Sequence, residues 1–136
     1  AAFLYAQIEN MDVIQRKRKE LWERYFSQLL PLASVGKIGI PQLPEYATNN
    51  AHMFYVVCKN IQERSDLIQH LKNQGIYSVF HYQSLHKSPY FLRENPDVPL
   101  LNSEKFTDCL LRLPMYFELR FEDIDRVAST ISQFFG

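Results

Sequence analysis

A length of 136 residues with 46% hydrophobic and 14% aromatic content suffices for one domain with a buried core and argues against disorder. Fifteen basic residues balance fifteen acidic ones, and the one dense basic run, Arg16-Lys17-Arg18-Lys19, is followed by Glu20 and Glu23, so no net field favours nucleic acid. Cys58 and Cys109 sit inside apolar segments as small buried residues suited to a reducing compartment, and neither a signal peptide nor an apolar run of the roughly 20 residues needed for a membrane span is present, so a cytoplasmic chain without a membrane partner is expected.

The first thirty residues read as helix. Leu4, Ile8, Met11 and Ile14 form an apolar stripe at helical spacing, continued with a shift in phase by Leu21, Trp22, Tyr25 and Leu29. The stripe is already running at residue 1, with no Ser, Thr, Asp or Asn to cap it and no initiator methionine, so a fragment of a longer protein is expected, a processed N-terminus being the alternative. After Pro31 the Gly and Pro residues predict a turn region with a short surface strand around Ile38 to Leu43. "AHMFYVVC", residues 51 to 58, predicts a strand covered on both faces. A helix follows, with Ser65 as cap, Leu67, Ile68 and Leu71 on its apolar side and Gly75 as its stop. "IYSVFHY" predicts a buried strand. Pro89, Pro96 and Pro99 mark a looser segment before Ser103, which is placed to cap a short helix through Leu111. "LRLPMYF" is extended at its end because the residue before Pro114 is pushed out of the helical region. Glu122 to Phe135 closes the chain as an amphipathic helix with Ile124, Val127, Ile131 and Phe134 on one side. The order α-β-β-α-β-α-β-α predicts a single α+β domain, helices layered on a short, mostly antiparallel sheet.

Chemistry concentrates in "VFHYQSLHKSPYF", residues 79 to 91. His81 and His86 lie five apart, but carboxylates or cysteines at ligand spacing are missing, which disfavours a metal. There is no nucleophile elbow, no glycine-rich phosphate loop and no cysteine with an adjacent histidine. What remains is a loop at a strand end carrying two imidazoles, a phenol, a hydroxyl and an ammonium, all suited to hydroxyls and phosphates, and equally consistent with histidines that only brace the strand. His52, beside Asn49 and Asn50, shares that ambiguity. His70 is expected to be solvated, and Tyr116, Phe117 and Glu118 either line the same cleft or join the core.

"AAFLYAQIENMDVIQRKRKELWERY", "NNAHMFYVV", "HLKNQGIYSVFHYQSLHKSP" and "LLRLPMY", in this order, resemble the C-terminal part of the DegT/DnrJ/EryC1/StrS family of nucleotide-sugar aminotransferases, over nearly the whole chain. Ser84 departs from the family's H-Y-x-P-L-H pattern, where proline is usual, and is expected to loosen the loop. The resemblance implies an enzyme that uses pyridoxal 5'-phosphate to move an amino group from glutamate to a dTDP-4-keto-6-deoxy sugar, working as a homodimer. It also implies that the cofactor-holding lysine lies outside this chain, because none of the seven lysines here sits in a matching context. By carry-over, His81 and Tyr82 face the sugar nucleotide, with His86 close to the same wall. A stand-alone metabolite-binding or regulatory α+β module is the alternative.

Overall fold

The computed structural model describes residues 2–136. The N-terminal helix is divided at Asn10 into α1 (Ala2–Glu9) and α2 (Met11–Ser34). Asn10 turns its own amide to Gln7 O, and its side-chain amide donates to Ala6 O, so the helical ladder is interrupted there. Pro31 does not end α2 as expected: the helix runs on to Ser34, giving up only the bond that residue 31 would have donated to Ser27 O. The stop comes at Gly36, whose φ of +73° is left-handed, with Lys37 N–H returning to Leu32 O.

Leu21, Trp22, Tyr25 and Leu29 of α2 are buried, whereas Leu4, Ile8 and Met11 of the expected stripe are more than half exposed. The stripe is therefore unpartnered within the described residues.

The sheet is smaller than the sequence suggests. It consists of β1 (Tyr55–Val57), β2 (Val79–Phe80) and β3 (Leu110–Arg112), with β3 central and antiparallel to both neighbours. Tyr55 stands opposite Arg112, Val57 opposite Leu110, and Phe80 opposite Leu111. The expected surface strand at Ile38 to Leu43 shrinks to a single bridge between Gly39 and Val57, and Ile38 and Ile40 are buried. Strand β1 starts late because Ala51, at φ +48°, is held in a turn by Asn49 Oδ1, which accepts its N–H at 2.7 Å. Only Val56 of β1 is fully buried, and both residues of β2 are exposed, so neither strand is covered on two faces.

Helix α3 (Ile61–Asn73) is capped by Asn60, whose Oδ1 accepts from Glu63 N–H at 2.9 Å while the Glu63 carboxylate accepts from Lys59 N–H. Ser65 lies inside the helix and donates to Ile61 O, so it is not the cap. Gly75 adopts φ +70° and ends α3 as expected. Helix α4 is Leu101–Cys109, and Ser103 is an interior residue of it. Helix α5 is Phe121–Phe135, with Glu122 and Asp123 in its first turn, where carboxylates complement the helix dipole.

Helices α2 and α5 bury Leu21, Tyr25 and Leu29 together with Ile124, Val127 and Ile131 over Val56 and Leu111 of the sheet. Tyr25 adds a hydrogen bond from its hydroxyl to Pro114 O at 2.9 Å. Among the described residues, no helix is long and apolar enough to cross a membrane. The α+β class is the expected one, but among the described residues it comprises five α-helices on a three-stranded antiparallel sheet rather than the four helices and four strands of the predicted order.

Candidate functional site

Strand β2 pairs on one side only, and the chain leaves it at His81 into an irregular path over α4. Single 3-10 turns at Leu85–Lys87 and Phe91–Arg93 shape that path, the second opened by Ser88 Oγ accepting from Phe91 N–H. Between path and helix lies an open cleft of about 690 Å³, lined by His81, Tyr82, Ser84, Leu85 and His86 on the loop side. Phe91, Leu100, Ser103, Phe106 and Thr107 form its other walls. The three expected site residues, His81, Tyr82 and His86, thus face one space.

They are held differently. Tyr82 is 74% exposed at the rim, and its ring lies 4.8 Å from that of His81. His81 is half-buried, and its Nδ1 is buried without a hydrogen-bond partner among the described residues. His86 is buried, with Nε2 3.0 Å from Glu104 Oε1. A carboxylate only accepts, so Nε2 carries the proton in this contact. The same Glu104 oxygen accepts from Leu100 N–H at 3.1 Å and lies 3.4 Å from Lys87 Nζ. The hydrogen bond from His86, joined by that from Leu100, holds the Glu104 carboxyl below the usual glutamate range. Lys87 is paired mainly with Asp97, and that hydrogen bond raises its pKa above the ordinary lysine value.

Ser84 does not leave the loop loose. It is buried, and its hydroxyl lies within hydrogen-bonding distance of both Ser103 and Thr107 on α4. Glu104 and Thr107 went unnoticed in the sequence, and Ser103 stood there only as a helix cap, because they lie 18 to 23 positions from their loop partners. The one local sign was the four-residue spacing from Leu100 to Glu104, which closes the start of α4.

Other candidates fall elsewhere. Tyr116 lines a separate cavity of about 410 Å³ with Tyr77, Pro114 and Arg126, and Phe117 and Glu118 are exposed, so these residues do not share the His81 cleft. His70 is not solvated: it packs on Phe134 at 5.5 Å with its Nε2 buried. His52 is exposed. Cys58 and Cys109 are free and buried as expected, and burial pushes the Cys58 thiol up to about 12, which leaves it inert as a nucleophile at neutral pH. Among the described residues no group of three or more His, Cys, Asp or Glu side chains is placed to hold a metal.

The cleft does not fit pyridoxal 5'-phosphate as a covalently held group. No lysine lines it, and the nearest in sequence, Lys87, is kept protonated by Asp97 and Glu104 and so lacks the free amine such attachment needs.

The model of the DegT/DnrJ/EryC1/StrS aminotransferase family matches residues 1–132. Among solved structures, DesV of S. venezuelae in complex with a ketimine intermediate is 27% identical, with a TM-score of 0.86 over 98% of this chain and 35% of its own. NtdA of Bacillus subtilis with bound cofactor PMP is 25% identical, with a TM-score of 0.78 over 90% of this chain and 28% of its own. The aminotransferase TlmJ of Streptoalloteichus hindustanus shares the fold at 23% identity, with a TM-score of 0.83 over 96% of this chain and 34% of its own. The chain therefore spans about a third of the length of these relatives.

Proposed function

From the premise that the chain belongs to the DegT/DnrJ/EryC1/StrS aminotransferase family, we propose that it is the C-terminal, substrate-facing domain of a pyridoxal 5'-phosphate-dependent nucleotide-sugar aminotransferase. The amino group passes from glutamate to a dTDP-4-keto-6-deoxy sugar, the chemistry of dTDP-4-amino-4,6-dideoxygalactose formation for enterobacterial common antigen and related lipopolysaccharides. When bound, the cofactor supplies the electron sink for that transfer. Its lysine belongs to a preceding domain, against which α1 lays Leu4, Ile8 and Met11. The complete enzyme is a cytoplasmic homodimer.

The observation that carries this reading is the cleft itself: a family match running through it, and an exposed Tyr82 beside a half-buried His81 ring on its wall. The exposed Tyr82 side chain is free to hydrogen-bond sugar hydroxyls or diphosphate oxygens, with the half-buried His81 ring beside it on the cleft wall, while His86, already committed to Glu104, keeps the wall in place.

In the complete enzyme, His81→Ala and Tyr82→Phe are expected to lower kcat/KM for the keto sugar by several-fold to about a hundredfold, each lost bond contributing about 0.5–1.5 kcal/mol, or roughly 1.5–3 where its partner is charged. Cofactor absorbance and melting temperature should stay near those of the parent. A destabilised but kinetically normal His81→Ala enzyme would remove the assignment. The 136-residue polypeptide alone is expected to give no stoichiometric, site-specific adduct with pyridoxal phosphate after borohydride reduction.

A further inference from the structure

At its centre, the loop carrying His81 and Tyr82 is fastened to α4 by hydroxyl groups. Ser84 Oγ lies 2.9 Å from Ser103 Oγ and 2.6 Å from Thr107 Oγ1, and Thr107 Oγ1 lies 3.5 Å from the carbonyl oxygen of Tyr82. Each hydroxyl has one hydrogen to give. The Tyr82 carbonyl only accepts, so Thr107 donates to it. Thr107 must then accept from Ser84, and Ser84 from Ser103. All three bonds coexist in one direction only, Ser103 to Ser84 to Thr107 to Tyr82 O, and a chain of this kind strengthens each of its members.

Backbone geometry shows what the serine adds. Ser84 has φ −63° and ψ 125°, a conformation that proline also adopts, so the bend of the loop does not require a hydroxyl. What the hydroxyl supplies is the tie to α4. Because the Tyr82 side chain is 74% exposed, packing does little to aim it, and its direction depends on where its backbone is held.

We infer that the Ser103-Ser84-Thr107 relay positions Tyr82, and with it His81, toward the substrate, Ser84 being its central positioning residue. The inference rests on the reading of this cleft as the substrate site.

The complete pyridoxal-phosphate-loaded enzyme provides the test. Thr107→Val keeps the side-chain shape and removes the donor, and Ser84→Ala breaks the middle of the relay. Each is expected to raise KM for the sugar nucleotide about three- to tenfold with kcat changed less than about twofold, the cost of a hydrogen bond used to orient a binding group. The double variant should be little worse than either single one, since the bonds act in series, and Thr107→Ser should restore the parent KM. Amide exchange in residues 81–87 should quicken in Thr107→Val without change in β3 or α5. Variants that melt earlier but keep KM and kcat per folded molecule would overturn the inference, as would unchanged exchange in 81–87. Should Ser84→Ala fail to fold, the pair Thr107→Val and Thr107→Ser decides alone. His81→Ala measured alongside separates the two readings: if it is impaired while the relay variants are normal, only the relay falls. If His81→Ala is itself normal, the site falls and takes the relay with it.

Discussion

The layer between α2 and α5 and the lobe from His81 to Cys109 are held by different forces. In the first, the contacts are apolar and closed: Phe54 is fully buried, stacked on Tyr25 at 5.2 Å and edge-on to Trp22 at 5.3 Å, and Leu21, Ile124 and Ile131 complete the cluster. The lobe leaves Tyr82, Leu85, Tyr90 and Leu101 exposed and is tied down instead by Ser84, His86 and Lys87. Burial is non-directional and yields stability in proportion to area. Hydrogen bonds are directional and fix a backbone while its side chains stay open to a ligand. The lobe therefore keeps its side chains open, and the helical layer carries most of the apolar burial.

The strongest way to break this contrast is Phe54→Ala, which should cost about 3–5 kcal/mol by leaving a cavity between two aromatic rings. Urea denaturation measures it, and a loss no larger than that of a lobe variant would contradict the division. Tyr25→Phe sharpens it, removing only the bond to Pro114 O, for about 1 kcal/mol at neutral pH. Burial also holds the Tyr25 phenol well above its ordinary value of 10.0. The fold thus favours the protonated form, so this part of the stability is complete below pH 10 and is lost as the pH rises further, a loss that Tyr25→Phe should lack.

In the lobe the sign reverses. Glu104, depressed below its ordinary 4.5 chiefly by His86, contributes stability that is present above that value and lost as pH falls through its folded pKa. Glu104→Gln should lower the melting temperature less than Phe54→Ala does, quicken amide exchange around His86, and flatten the acid limb of the stability profile. An acid limb unchanged by the substitution would show the tether to be idle. The smallest effect is expected from Asp125→Asn, which opens the bidentate pair with Arg24 on the exposed side of the helical layer. Its change in melting temperature should be slight and should vanish in high salt, as exposed ion pairs do.

Much of the helical layer was legible without coordinates. The 3.6-residue recurrence of Leu21, Tyr25 and Leu29 and of Ile124, Val127 and Ile131 marks two apolar faces, and Gly75 marks a helix end because left-handed φ favours glycine. The ordered motifs pointed to the family that the comparison then matched over residues 1–132. Caps were less legible: Ser65 and Ser103 have the right chemistry for the role, but Asn60 holds the start of α3 and Ser103 is engaged with Ser84.

The sequence by itself determined which segments are helical, the buried faces of α2, α3 and α5, and that His81, Tyr82 and His86 stand on one loop, because each of these depends on neighbours within a few positions. Tertiary structure alone decided that the strands are as short as two or three residues, that Tyr116 opens a separate cavity, and that His86 belongs to Glu104 while His81 Nδ1 is left unpaired. The reason is physical. A strand ends where its partner's hydrogen-bonding groups end, and a polar side chain's role is set by whichever group folding brings within about 3 Å of it, and neither condition is local along the chain.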